Sequence, residues 1–229
     1  MSILALLRWG LTLGLLIGAP LSWGHDISAE NALFVQNLAG PAAGPFLYLG
    51  AKHMFTGYDH LLFVLGVIFF LYRPSHIVLY VSLFTIGHST TLLLGVLAGW
   101  QISGHLVDAV IGLSIVYKAF ENIGGFEQLL GWRPDSRVAV LVFGLCHGLG
   151  LATKLQGYVA SNDGLLINLM SFNLGVELGQ LLALTFILLA LAGWRRRESF
   201  ERQAFLMNSA LMCAGFILAG YQFTGYMLA

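Results

Sequence analysis

Residues 165–194 read LLINLMSFNLGVELGQLLALTFILLALAGW, thirty positions with a single charged side chain, Glu177. Nothing in this run alternates with period two, and a bilayer cannot satisfy an open strand, so the run predicts a helix. Working outward, five more apolar stretches lie near 54–72, 76–99, 106–123, 138–157 and 204–228. Each is close to the roughly 17–25 residues a helix needs to cross a hydrocarbon core. The whole chain of 229 residues is 58% hydrophobic and only 10% charged. A soluble domain carries about 25% charged residues, and one with so few could not cover its apolar surface. The expected fold is therefore all-α: a polytopic membrane protein, a bundle of six transmembrane helices in one domain over 54–229.

Composition also excludes several functions. Eleven basic residues balance eleven acidic ones, which leaves no field for gathering nucleic acid. Cys146 and Cys213 both lie in apolar runs and make neither a disulfide framework nor a thiolate cage. No phosphate-binding glycine loop occurs, so this chain is not expected to hydrolyse ATP.

The N-terminus reads as a cleavable signal peptide over 1–24. Arg8 supplies the positive region, Leu11 to Pro20 the apolar core, and Ser22-Trp23-Gly24 the small residues at the cleavage site. The alternative is an uncleaved signal anchor. Residues 25–53 are mixed in polarity and carry Gly40-Pro41 and Gly44-Pro45, which predicts an outward-facing segment: a short helix from Ser28 to Leu38, then a turn-rich approach to the membrane. Arg73, Arg133, Arg137, Arg195, Arg196, Arg197 and Arg202 fall in alternate loops, against Lys52 alone on the other side. That asymmetry predicts both mature termini outside the cytoplasm. The expected location is the bacterial inner (plasma) membrane.

Ionisable groups inside spanning helices cost about 2.5–3.5 kcal/mol each and mark function. Lys118, Glu121, Lys154 and Asp108 lie near span ends, where snorkelling and a Lys118–Glu121 pair at i,i+3 explain them. The arginines of 195–202 read as topogenic. Counting inward at about 1.5 Å per residue, Asp59, His60, His88, His147 and Glu177 reach a common depth on four helices. Imidazole and carboxylate suit zinc, nickel, copper(II) or iron(II). His53 and His60 are seven apart, hence about 10 Å apart along an ideal helix. Either they are two successive stations, or a break at Thr56-Gly57 folds His53 back. Gly57 reads equally well as a point of close helix packing.

His53-Met-Phe-Thr-Gly-Tyr-Asp59-His60-Leu-Leu-Phe resembles the hallmark of the HupE/UreJ family of nickel permeases. Phe84-Thr-Ile-Gly-His88-Ser, Phe143-Gly-Leu-Cys-His147-Gly and Phe172-Asn-Leu-Gly-Val-Glu177-Leu-Gly-Gln are similar to its later helices, and the likeness spans roughly residues 46–228. It implies a six-helix metal permease with His53, Asp59, His60, His147 and Glu177 handling the metal. Met54 stands where the best-known members carry proline, which places the chain nearer a divergent branch.

The leading expectation is an inward permease for a divalent cation: nickel by resemblance, with zinc, cobalt, copper or iron as alternatives. His53 would collect the ion, with the cleaved terminus His25-Asp26 as a further collector. Asp59, His60, His88 and His147 would replace its water, Glu177 would compensate charge, and Asn173, Gln180 and Glu121 would line the exit. An intramembrane zinc hydrolase using the same cluster is the alternative. A metal-sensing or assembly partner of a redox complex is a third class. Oligomeric state is not encoded in any of these features.

Overall fold

The computed structural model describes residues 40–158 and 163–229. The expected signal peptide over 1–24, the helix expected at 28–38 and residues 159–162 of the fourth-to-fifth span connection lie outside the described residues. Among the described residues all regular structure is helical: α1 Ala43–Thr56, α2 Tyr58–Ile68, α3 Pro74–Leu97, α4 Gly104–Asn122, α5 Gly125–Leu130, α6 Ser136–Tyr158, α7 Leu165–Arg195 and α8 Phe200–Leu228. Four of them, α3, α6, α7 and α8, are long and apolar enough to cross a membrane.

The other two expected spans look different. The third corresponds to α4, which has 19 residues and buries three charged ones, Asp108, Lys118 and Glu121. The first, expected over 54–72, is not one helix. A helix already begins at Ala43, in the stretch expected to be turn-rich, and ends at Thr56; α2 then resumes for 11 residues. Alone, α2 rises only about 16 Å.

Without a hydrophobic drive between helices in lipid, close backbone approach at small residues holds a bundle together. Three pairs show it. In α1 and α7, a Cβ on Gly175 would collide with Leu47 O, and one on Gly179 would lie 2.5 Å from Ala51 O. Leu47 meets Gly175 and Ala51 meets Gly179, so the two helices run in the same direction. In α3 and α6, a Cβ on Gly144 would collide with Phe84 O, one on Gly148 with His88 O, and one on Gly95 would lie 2.7 Å from Ala152 Cβ. That pair is also parallel. In α4 and α8, Gly112 packs on Ala219 and Gly215, while His105 packs on Gly225 and bonds Gln222 at 2.8 Å. Contacts that run in opposite order make this third pair antiparallel.

At the start of α7, Gly164 sits at φ +71, a left-handed angle, with Pro41 against it. Asn168, one turn on, accepts from Ala42 N at 2.7 Å and donates to Gly40 O at 3.2 Å. These contacts fix the start of α1 to the start of α7. α2 lies among the others, with Phe63, Ile68 and the following Phe69 almost wholly buried. At and just beyond its end, Arg195 donates to three carbonyls: Nη2 to Ile68 O and Phe69 O at 2.5 and 2.6 Å, and Nη1 to Leu71 O at 3.0 Å. The guanidinium also stacks over Tyr72, 4.5 Å from the ring centroid. Arg195, expected to act only in orienting the chain, is thus the cap of the half-helix.

These seams make a direct prediction. Gly148→Ala should cost about 1–3 kcal/mol by overpacking and lower the thermal midpoint of the detergent-solubilised protein. Gly193→Ala and Gly220→Ala, where an added Cβ meets nothing within 4 Å, should leave the midpoint unchanged or raise it.

Candidate metal-cation site

The site begins at the break between α1 and α2. Gly57 N donates to His53 O at 2.9 Å, ending α1, and the backbone then extends at φ −70, ψ 99. Any residue adopts those angles, so the glycine is not there for its conformational freedom. It is there for space: a Cβ would lie 2.8 Å from His60 Nδ1 and 2.9 Å from His53 O. The turn folds His53 back until its ring centroid is 5.0 Å from that of His60. Of the two arrangements the spacing allows, two stations along a straight helix and a folded-back pair, the structure has the second.

His60 is the hub. His147, on α6, stands 5.2 Å from it and His88, on α3, 6.2 Å, both as centroid separations. All three are essentially inaccessible to solvent, and His53 is buried with them. Two of the rings have fixed tautomers. Asp59, in the first turn of α2 where the helix N-terminus favours negative charge, accepts from His60 Nδ1 at 3.1 Å and from His60 N at 2.9 Å. Phe143 O accepts from His147 Nδ1 at 2.7 Å. An oxygen acceptor at Nδ1 makes Nε2 the lone-pair nitrogen of each neutral ring. Histidines that ligate metals are oriented in this way, by a carboxylate or a backbone carbonyl on the other nitrogen.

Imidazole nitrogens about 2.0–2.1 Å from a shared ion put ring centroids roughly 4.5–6.5 Å apart. The separations about His60 fall in that range. Orientation is another matter: the rings lie edge to face, at 75°, 61° and 73°. Among the described residues no three His, Cys, Asp or Glu side chains already converge on one point at ligating distance.

Aromatic rings close the layer. Phe84 lies 5.0 Å from His147, 6.0 Å from His88 and 6.4 Å from His60; Phe63 lies 5.3 Å from His147; Phe172 lies 6.1 Å from His53. This collar lowers the local dielectric and strengthens every charge interaction inside it. Of this collar only Phe84 is signalled in the sequence, by the Phe-x-x-x-His spacing of one helical turn; Phe63 and Phe172 come from contacts between distant segments.

The remaining expected positions lie elsewhere. Glu177 is on the exposed flank of α7, outside the histidine layer. Asn173 and Gln180 are buried on α7. Glu121 is tied by Lys118 at 2.5 Å, by Arg133 Nη2 at 3.1 Å and by Ser136 Oγ. Lys118 and Glu121 form the expected i,i+3 pair, but they are buried rather than snorkelling to an interface. Lys154 bridges to Asp108 at 3.2 Å from α6 to α4, so these two are also paired in the bundle. Opposite charges that satisfy each other bury at far lower cost than either alone.

Apolar helices packed on glycine seams around a buried imidazole layer define a multi-pass membrane protein. The chain belongs to the HupE/UreJ family: residues 29–229 match the family described as HupE / UreJ protein. That membership and the apolar helices together support a metal-transporting membrane protein. No curated protein and no solved structure matches the chain.

The crowding at Gly57 should be measurable. Gly57→Ala must push His60 or the His53 carbonyl aside, and the expected result is at least tenfold weaker nickel binding by the purified protein, read by isothermal titration. Gly44→Ala, at the open start of α1, should bind as the wild type does.

Proposed function

We propose that the protein is an inward permease for a divalent transition-metal cation, nickel by family likeness, with the histidine layer as the point where the ion exchanges water for nitrogen. The observation that carries this reading is the set of three imidazoles gathered 5.0–6.2 Å from His60 by the break at Gly57 and by α3 and α6. His53, at the end of α1, is the first to meet the ion. His60, His147 and His88 then replace its inner water, and Asp59 holds His60 in register while contributing the negative charge nearest the hub. Neutral imidazoles bind such ions without the near-irreversibility of a thiolate cage, which a carrier of cargo requires. Glu177 enters as a charge on the flank of α7 rather than as a ligand of the layer.

Six crossings are part of the proposal, with α1 and α2 together counted as one and α4 as another. The helix directions support the count: alternating crossings make α1 parallel to α7, α3 parallel to α6, and α4 antiparallel to α8. The asymmetry of the basic residues then puts both ends outside the cytoplasm of a bacterial inner membrane after removal of 1–24. An inside-negative potential favours inward movement of a doubly charged ion by about 4.6 kcal/mol per 100 mV, so entry needs no nucleotide. Zinc, cobalt, copper and iron remain the competing cargoes. The zinc-hydrolase alternative finds no support in the family membership.

Purified protein in proteoliposomes should take up nickel along an inside-negative potential. His60→Ala and His147→Ala should each slow that uptake tenfold or more while the protein still inserts. Vesicles with the wild type that admit no divalent cation would refute the permease.

A further inference from the structure

Thr91 lies on α3, three residues beyond His88, and is buried at the seam with α6. A threonine inside a helix commonly turns its hydroxyl back to the carbonyl four residues earlier. Thr90, Thr185 and Thr224 do so here, at 2.7, 2.7 and 2.8 Å. Thr91 departs from that habit. Its own helix offers Gly87 O at 3.1 Å and His88 O at 3.4 Å, but the shortest contact, 2.7 Å, crosses the seam to Leu145 O of α6. A hydroxyl has one hydrogen to give, and the distances assign it to Leu145 O.

Both ends of this bond stand beside the histidines. Leu145 precedes His147 by two residues, and Phe143, whose carbonyl fixes the His147 ring, precedes Leu145 by two. The rest of the seam is contact without direction. An added Cβ on Gly87 would lie 2.6 Å from Leu141 O, and one on Gly148 would collide with both His88 O and Thr91 Oγ1. Gly144 meets Phe84 and Gly148 meets His88, so the seam repeats every four residues. Such a surface sets how closely the helices approach. A slip of one turn, about 5.4 Å, would still set a glycine against α3 while carrying His147 away from the level of His88. A hydrogen bond has a narrow geometry, and lipid offers neither of its ends a substitute.

We infer that Thr91 is a positioning residue for the histidine layer: its hydroxyl pins α3 to α6 in the register that brings His88 and His147 to one ion. It touches no cargo and acts through the two backbones. Of the three rings around His60, His88 is the most distant, at 6.2 Å against 5.0 and 5.2 Å. It is therefore the ring that a small loss of register withdraws first from a shared coordination sphere.

This inference rests on the reading of the layer as a cation site, and its test separates the two. Thr91→Val keeps the shape and removes the hydroxyl, Thr91→Ser keeps the hydroxyl, and Thr90→Val removes a neighbouring hydroxyl that bonds within α3. The purified full chains are compared for nickel affinity by isothermal titration, for imidazole count by X-ray absorption, and for thermal midpoint without metal. Thr91→Val should bind nickel about tenfold more weakly, as loss of an orienting partner does at metal sites, and should show one imidazole fewer. Its metal-free midpoint should stay close to the wild type's, since single hydrogen bonds between membrane helices contribute little to stability. Thr91→Ser and Thr90→Val should bind as the wild type does. Wild-type affinity in Thr91→Val, or an equal loss in Thr91→Ser, would overturn the assignment. So would a Thr91→Val chain whose metal-free midpoint collapses, because the hydroxyl would then hold the fold rather than the register. A wild type that binds no nickel would overturn the layer as a cation site, and this inference with it.

Discussion

The hydrogen bond from Gly57 N to His53 O ends one helix and starts the next at the level where four imidazoles meet. On a continuous helix His53 and His60 would stand two turns apart and could not act together. The break also exposes the carbonyl end of α1, which is attractive to a cation, beside the first turn of α2, where Asp59 offsets the positive end of that helix. Because α2 is only 11 residues long, it can be surrounded by protein, and its far end is closed by Arg195. The half-helix therefore holds its first turn, with Asp59 and His60, inside the bundle at a fixed height.

The glycine seams make that enclosure tight. Gly144 and Gly148 bring α6 against Phe84 and His88 of α3, so the Phe-x-x-x-His strings of the two helices face one another. Gly175 and Gly179 do the same for α7 and α1. The residues that set helix spacing alternate with those that carry the chemistry. A change of spacing at either seam would move His53, His88 or His147 relative to His60.

Much of this was legible in the sequence, for identifiable reasons. The long apolar runs become α3, α6, α7 and α8, and depth counting brought Asp59, His60, His88 and His147 to one level. α1 was missed because Gly44-Pro45 reads as a turn, yet glycine and proline are tolerated in a first helical turn, where the N–H groups lack partners in any case. The seven-residue spacing allows either two stations or a break at Thr56-Gly57, and the glycine at the break answers crowding around His60 rather than unusual backbone angles. Glu177 shows the limit of counting: α7 is apolar on every side, so its hydrophobic pattern does not say which face turns inward. Its direction follows from where Gly175 and Gly179 meet α1. The collar of Phe63, Phe84 and Phe172, and the partners that Arg133 and Ser136 bring to Glu121, likewise depend on contacts between distant segments.

The central claim is that His53, His60, His88 and His147 form one coordination layer for the transported ion. X-ray absorption spectroscopy of the purified full chain loaded with one equivalent of nickel(II) examines it most directly. The account predicts a first shell of nitrogen and oxygen at about 2.0–2.1 Å, with the outer-shell multiple-scattering pattern of at least three imidazoles, reduced by one ring in each of His60→Ala and His147→Ala. A sulfur shell, or an all-oxygen shell without imidazole scattering, would contradict it.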